Sequence, residues 1–409
     1  MNRRRFITLL SVSGLTVAGI RFWPEQGLWN PCLKQPVPQT LLQHEVVQAA
    51  WEGIDPALMW DCHVHLVGTG DSGSGIWVNP EMESLLHPIQ FTQFKFYLNS
   101  SCTDEAENVD EEFIARLRLL QLGLHPDSRF MLLAFDYRYD ENGVLDKQKS
   151  QFYVPNAYAA KVHQTYPETF EWIASIHPYR EDSVETLEWA VANGARAIKW
   201  LPGAMGMDPS SKRCDRFYDA LKKHNMPLLS HAGAEYAVGV AETRHLNHPL
   251  LLRYPLDQGV KVIIAHCASL GSGPDLDIGP KGKKHRFIEF FSRLMADKNY
   301  QDLLFADISA ITQVTRKLDT IKTIFEHDEW HGRLINGSDY PLPGVMPLFS
   351  LSRYVKAGYL QGGEVELLSQ IRRYNPLLFD FVLKRSLIIN GHKLADRVFE
   401  TAQLFSKMD

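Results

Sequence analysis

Two histidines one pleat apart, His63 and His65, close the first strongly apolar run of the chain, in Trp60-Asp61-Cys62-His63-Val64-His65. A strand has a side-chain period of two, so both rings project to one side. Two imidazole nitrogens so placed can reach one cation at about 2.0–2.1 Å. Three later runs also stop on a single ionisable group. Leu228-Leu229-Ser230 ends on His231, Ile263-Ile264-Ala265 on His266, and Ile335-Asn336-Gly337-Ser338 on Asp339. His63, His65 and His231 supply neutral nitrogens and Asp339 one anionic oxygen, a donor set for a divalent metal that leaves positions open for water. Such a metal lowers the pKa of its water from about 15.7 to about 7. Asp339 would then accept the water's proton, and His266 would polarise or hydrogen-bond a substrate carbonyl. The nitrogen-rich set favours zinc, with manganese and iron also compatible.

Lys199 ends the run Ala197-Ile198-Lys199-Trp200-Leu201 and admits three readings. A barrel-wall lysine would reach solvent with its ammonium. A substrate contact would make it the cation for an acidic group. As a carboxylated lysine it would bridge two metals, with His231 and His266 on the second. Lys199 therefore decides between one metal and two. Asp61 is either an outer partner of a ligating histidine or a strand-end hydrogen-bond acceptor. His177, Arg180 and Trp200 could border a pocket but carry no motif. His245 and His248 fall in a loop, and Lys281-Gly282-Lys283-Lys284-His285-Arg286 reads as a solvated loop entering a helix.

These residues need elements that bring strand ends together. Eight short apolar runs recur: Leu58–Leu66, Phe130–Tyr137, Phe170–His177, Ala195–Leu201, Pro227–Ala232, Lys261–Cys267, Leu303–Ile308 and Arg333–Ser338. Near-continuous rather than alternating runs indicate strands covered on both faces, hence a parallel sheet. Helical spacing fills the intervals, as in Phe113/Leu117/Leu120, Val184/Leu187/Val191 before Gly194, and Phe217/Ala220/Leu221 before Asn225. Eight strand–helix units predict an α/β fold, a closed (β/α)8 TIM barrel, over an open doubly wound sheet. The C-terminal strand edges of such a barrel share one face, where active sites sit. The first connection, Val67 to Arg129, is long and opens on a Gly/Ser-rich stretch, Gly68 to Gly75. Loops of this kind are often lids or binding loops, and this one lacks the Lys-Ser/Thr of a phosphate-binding P-loop. The chain past Gly362 reads as helices packed on the barrel.

The ordered set Asp61-Cys62-His63-Val64-His65, Ser230-His231-Ala232-Gly233, Ile264-Ala265-His266 and Gly337-Ser338-Asp339-Tyr340-Pro341 resembles the amidohydrolase superfamily, in the amidohydrolase-related branch that also contains decarboxylases. The resemblance runs from about Ala57 to the helices after Asn375. It implies that His63, His65 and His231 are metal ligands and that Asp339 binds the metal or takes a proton from its water. It makes His266 a second-site ligand or a substrate-holding residue. The implied activity is hydrolysis of an amide, ester or lactone of a small molecule. Non-oxidative decarboxylation on the same scaffold is the alternative. A catalytically inactive metal-binding protein is disfavoured by the intact ligand set.

The 409 residues contain 43 Lys+Arg and 48 Asp+Glu, a formal charge of −5, and are 45% hydrophobic. This composition excludes a disordered chain and a small disulfide scaffold, and without a basic excess no nucleic-acid partner is expected. The chain opens Arg3-Arg4-Arg5-Phe6-Ile7-Thr8 before an uncharged stretch to Ile20, the order of an export signal of the twin-arginine type. Residues 1–24 are thus expected as export signal or membrane tether, 25–50 as linker and 51–409 as the barrel, with a bacterial periplasmic location. The five cysteines are widely spaced and odd in number, and free thiols are the default expectation. Oligomeric state carries no signal.

Overall fold

All eight apolar runs form parallel strands. In the computed structural model, which describes residues 24–235, 238 and 241–405, they are β1 (Trp60–His65), β2 (Arg129–Leu133), β3 (Phe170–Ile173), β4 (Ile198–Trp200), β5 (Leu228–Ser230), β6 (Val262–Ile264), β7 (Leu304–Asp307) and β8 (Leu334–Ile335). One sheet holds β1, β2 and β3 and another β4 to β8, each in chain order. Parallel bridges Ala174↔Ile198 and Val64↔Tyr340 join the two sheets on both sides, so the strands close a (β/α)8 barrel. The N-terminal signal expected over residues 1–24 lies, apart from Pro24, outside the described residues.

Side chains alternate across the barrel wall. Met131, Leu133, Ile173, Ala197, Leu229, Ile263 and Ala265 form the inner cluster, which Ala402 and Phe405 from the C-terminal segment join. Their neighbours Leu132, Trp172, Ile198, Leu228, Val262 and Ile264 belong to the larger outer core. Burying each such side chain contributes roughly 1.5–3 kcal/mol, which explains why both faces of these strands are apolar.

The helices cover that outer face. They include α1 (Glu45–Trp51), α2 (Pro88–Ser100), α3 (Val109–Leu124), α4 (Asn156–Thr165), α5 (Ser183–Ala192), α6 (Asp215–Lys223), α7 (Phe287–Ala296), α8 (Leu318–Glu326), α9 (Glu364–Tyr374) and α10 (Pro376–Ser386). The expected apolar stripes of α3, α5 and α6 are buried at Phe113, Leu117, Leu120, Leu187, Phe217 and Leu221. Asn108 caps α3 by accepting from the Glu111 amide. The terminal helices brace the β8 loop: Lys384 of α10 donates to the Gly337 carbonyl at 2.7 Å, and buried Arg372 of α9 donates to the carbonyls of Pro343 and Val345 at 2.8 Å each.

The long first connection is ordered around one carboxylate. Asp110 accepts from Thr69 N (2.8 Å), Gly70 N (3.2 Å), Ser72 Oγ (3.0 Å) and Ser74 Oγ (2.6 Å). A Cβ on Gly68 would come within 2.2 Å of Asp110 Oδ1, which explains that glycine. The Gly/Ser-rich stretch therefore wraps an anion of its own chain.

Three expectations are revised. Residues 25–50, read as linker, pack on the barrel: Trp29 stacks on Phe96 at 4.8 Å, the Asn30 amide donates to Asn99 Oδ1, and Val37, Val47 and Ala50 enter the main core. Cys32 and Cys102 form a disulfide, while Cys62, Cys214 and Cys267 are free and buried. Within the basic run, Lys284–Arg286 pairs antiparallel with Ser272–Pro274 before α7, because its backbone groups find partners in that loop.

Candidate metal centre

His63 and His65 reach the same cavity with the help of an irregularity in β1. The register of β1 on β2 shifts between Asp61 and Val64, so Trp60 and Cys62 face the barrel interior while Val64 turns to the outer core. His63 and His65, on the other side of the shift, both line the cavity. Asp61 accepts from His63 N (3.0 Å) and Ser338 N (2.9 Å). It ties the end of β1 to the loop carrying Asp339, which is the strand-end role.

The cavity has a volume of about 430 Å³, and His63, His65, Lys199, His231, His266 and Asp339 all line it. His65 Nε2 lies 3.2 Å and His63 Nε2 3.6 Å from Asp339 Oδ1. The His63 ring stands 4.9 Å from that of His266, and His231 5.2 Å from His266, between centroids. Backbone strain concentrates at the same strand ends. His266, Cys267, Ala268 and Asp339 have φ of 57°, 49°, 46° and 62°, conformations that cost free energy for residues other than glycine and cluster at functional sites.

Asp307, at the end of β7, organises the histidines from behind. It accepts from His63 Nδ1 (2.8 Å), the His266 amide (2.9 Å), the Ser309 amide (3.0 Å) and the Ser309 hydroxyl. The Nδ1 proton of His63 is thus engaged, and the Nε2 lone pair faces the cavity, where Lys199 Nζ lies 3.0 Å from it. Ser309 Oγ, having given its proton to Asp307, accepts from His266 Nδ1 at 2.7 Å, which leaves His266 Nε2 as the free nitrogen. Neither Asp307 nor Ser309 belongs to a motif in the sequence. Phe305 and Asp307 are two residues apart at an inward-facing strand end, as Ala197 and Lys199 or Leu229 and His231 are, and that period was the available signal.

Burial is the largest influence on His65, His231, His266, Lys199, Asp339 and Asp307. It depresses His65 and His231, holds His266 down at about 3, and lowers Lys199 against the pull of Asp307 and Asp339. Burial therefore favours the neutral form of the His65, His231 and His266 imidazoles, the form that ligates metals. Burial opposes the charge of Asp339 and Asp307, but the surrounding histidines outweigh it and hold both carboxyls well below the usual range.

Two clusters bring three donor atoms within 4.8 Å of one another: His63, His65 and Asp339, and His63, His266 and Asp307. The oxygens of Asp307 are already engaged by four donors, so the first cluster is the one with free valence. His231 Nε2, 3.7 Å from Glu235 Oε2, is buried without a hydrogen-bond partner, and its unprotonated form is an orphaned lone pair that a cation would satisfy. The residues present fit a divalent metal. Lys199 is buried, with Nζ 3.0 Å from His63 Nε2, so it does not reach solvent.

The remaining candidates lie elsewhere. His177 Nε2 bonds to the Met205 carbonyl at 3.1 Å, and Arg180 pairs with Asp136 (2.9 Å) and Asp182 (2.7 Å). The Trp200 indole donates to the Ile176 carbonyl, His248 packs on Phe287 and Phe290, and His245 is exposed with Nδ1 on the Glu242 carbonyl.

A closed parallel barrel with histidines and a carboxylate converging on one cavity at its C-terminal strand ends defines a TIM-barrel enzyme. The chain belongs to the amidohydrolase family: the family model described as amidohydrolase matches residues 60–345, well over half of its length. The family is one of metal-dependent enzymes. No curated protein matches the chain as a relative. Among solved structures it is similar to an uncharacterized TIM-barrel protein from Bordetella bronchiseptica (12% identity, 76% of this chain and 98% of that one, TM-score 0.47). It is also similar to an amidohydrolase II (13%, 80% and 99%, TM-score 0.40) and to 5-carboxyvanillate decarboxylase from Sphingomonas paucimobilis (11%, 68% and 78%, TM-score 0.40).

Proposed function

We propose that the protein is a metal-dependent hydrolase in which His63, His65, His231 and Asp339 hold one divalent ion, zinc by the nitrogen-rich donor set, and water attacks the carbonyl carbon of an amide, ester or lactone. The observation that carries this is the convergence of His63 Nε2, His65 Nε2 and Asp339 Oδ1 beside the orphaned His231 Nε2. The ion supplies Lewis acidity, acidifying water and polarising a carbonyl oxygen. Asp339 accepts the proton of the attacking water. Asp339 then returns that proton to the leaving oxygen or nitrogen as its bond to the carbonyl carbon breaks. His266, with Nδ1–H on Ser309, presents an unprotonated Nε2 that accepts a hydrogen bond in the cavity and, contrary to the expectation from the sequence, does not donate one to the carbonyl. Asp307 fixes the His63 tautomer and so the direction of its lone pair. Lys199 is the cation beside the carbonyl and donates to the oxygen on which negative charge develops.

Lys199 also favours a second reading, non-oxidative decarboxylation, since a buried ammonium at the donor cluster suits a carboxylate substrate. A zinc-loaded preparation assayed against ester, lactone, amide and aryl carboxylate libraries, before and after chelation, separates the two. Chelator-sensitive hydrolysis supports the first and CO2 release the second. Turnover unaffected by chelation sinks both. One metal equivalent per chain is expected, and two would mark Lys199 as a carboxylated bridge. We further propose that the chain is exported through its Arg3–Arg5 segment. The Cys32–Cys102 disulfide supports this, since such bonds persist in oxidising compartments. Fractionation of cells carrying the full chain, against an Arg4→Lys/Arg5→Lys variant, tests it.

A further inference from the structure

The loop after β7 brings Gln313, Thr315 and Arg316 into the cavity wall. Arg316 is 8% exposed and Gln313 2%. The guanidinium donates from Nη1 to Gln313 Oε1 and Thr315 Oγ1, 2.7 Å each, and from Nε to Ser269 Oγ at 3.4 Å. All three acceptors are uncharged, and among the described residues no carboxylate is in hydrogen-bond or ion-pair contact with it, although Asp339 and Glu235 attract it from across the cavity. A buried cation whose opposite charges lie out of contact is only partly compensated. Gln313 has a matching loose end: its Oε1 is committed to Arg316, which fixes the amide orientation, and its Nε2 is buried with no partner. Both unmet groups are donors.

The charges of the cavity wall point the same way. Lys199 and Arg316 are balanced by Glu235 and Asp339, so a divalent ion on the histidines would leave the site positive even with Asp307 counted behind them. The rest of the wall is largely apolar, with Phe94, Phe96, Phe135 and Phe152 among its residues. The donors are held in place from behind. Arg353 donates to the carbonyls of Gln313 (3.1 Å) and Arg316 (2.6 Å), and the Tyr354 hydroxyl to that of Thr312 (2.8 Å).

We propose that the substrate is an apolar molecule of aromatic size that carries a carboxylate, and that Arg316 and Gln313 bind this carboxylate. The inference deepens the hydrolase reading, resting on it in taking the cavity as the substrate pocket. A guanidinium N–H and an amide N–H present two donors to the two oxygens of one carboxylate, while the aromatic wall takes the apolar body.

The test is calorimetric binding of 2-naphthoate and neutral 2-naphthamide to the full, metal-loaded chain and to its R316M and Q313L variants, with folding checked by circular dichroism. Loss of the charge-assisted contact is expected to weaken naphthoate about tenfold or more in R316M and a few-fold in Q313L, with naphthamide little changed. Naphthoate binding that is equal in wild type and folded R316M overturns the proposal, because the anion then sits elsewhere, the metal included. Equal losses for both ligands overturn it too. Should R316M fail to fold, Q313L decides alone, and unchanged naphthoate affinity there has the same consequence. Binding needs no turnover. A chain that binds naphthoate through Arg316 yet hydrolyses nothing sinks the hydrolase reading and leaves this one standing.

Discussion

At the N-terminal end of the barrel, buried Glu171 of β3 accepts from Arg129 at 2.7 Å and from Arg196 at 3.0 Å, and both guanidinium groups lie over Trp60. At the C-terminal end, buried His63, His231, His266 and Asp339 and half-buried His65 face a cavity, and His231 Nε2, 3.7 Å from Glu235 Oε2, has no hydrogen-bond partner. Both ends place ionisable groups inside a low-dielectric barrel. The first matches one carboxylate with two cations and leaves no carboxylate oxygen over. The second keeps neutral nitrogens and one anion with free valence, an arrangement that makes sense only with something bound. Conserving stability and conserving unmet valence are different uses of the same strands, which is why the two faces of such a barrel divide structure from chemistry.

The largest test of that division is Asp339→Asn. Removing a positioned proton acceptor is expected to lower turnover by about 10²–10⁴-fold, with a smaller loss of bound metal. Turnover and metal content measured on one preparation check it. A fully active variant would mean that the C-terminal cluster is not used as argued. Glu171→Gln should behave in the opposite way. It leaves two arginines without their anion, and since both keep some exposure to solvent the cost is about 2 kcal/mol of stability. Urea denaturation should show that loss while kcat for folded protein stays the same. A fall in kcat would join the two ends of the barrel functionally.

Asp307→Asn probes how the free valence is aimed. The asparagine can no longer hold the Nδ1 proton of His63 as a carboxylate does, and loss of such an outer partner costs about 10–100-fold in metal affinity. Competition with a chelator would read this. Unchanged affinity would show that the barrel backbone alone orients His63.

How far these features were legible differs by residue. The strands were readable because burial on both faces leaves unbroken apolar runs, and His63, His65, His231, His266 and Asp339 stood out as ionisable groups where those runs stop. Asp307 does the same, but Leu-Leu-Phe-Ala-Asp-Ile reads as one apolar strand unless Phe305 and Asp307 are followed at period two to the inward face. Arg316 and Gln313 had no such signal. They sit in an irregular loop, and only the absence of a counter-ion in contact, a tertiary fact, separates them from ordinary surface residues. Cys32 and Cys102 are 70 residues apart, and spacing alone does not assign pairings. The order of residues 25–50 follows from that bond and from packing on α2, neither of which a Pro-rich composition reveals.

The smallest effect expected is on stability against pH. His177 stands outside the cavity, its pKa pulled down to about 3, chiefly by burial and further by Arg180 and Arg138, against the Met205 carbonyl. Unfolded, it titrates near 6.5. Between these values the unfolded chain binds more protons than the folded one, so stability rises with pH across this window and is lost as pH falls from about 6.5 toward 3. Going from pH 6.5 to 5.5 costs roughly 1 kcal/mol for one such histidine. His266, also held at about 3, acts in the same direction, and the depressed Asp339 and Asp307 add their losses below the ordinary carboxylate range. Urea midpoints of the metal-free chain should therefore fall steadily on acidification. His177→Gln should flatten the slope between pH 6.5 and 5.5 and leave turnover of the metal-loaded enzyme in place. His266→Gln should flatten it equally and remove turnover. If the two variants differ in slope but not in activity, the line drawn between structural and working histidines is misplaced.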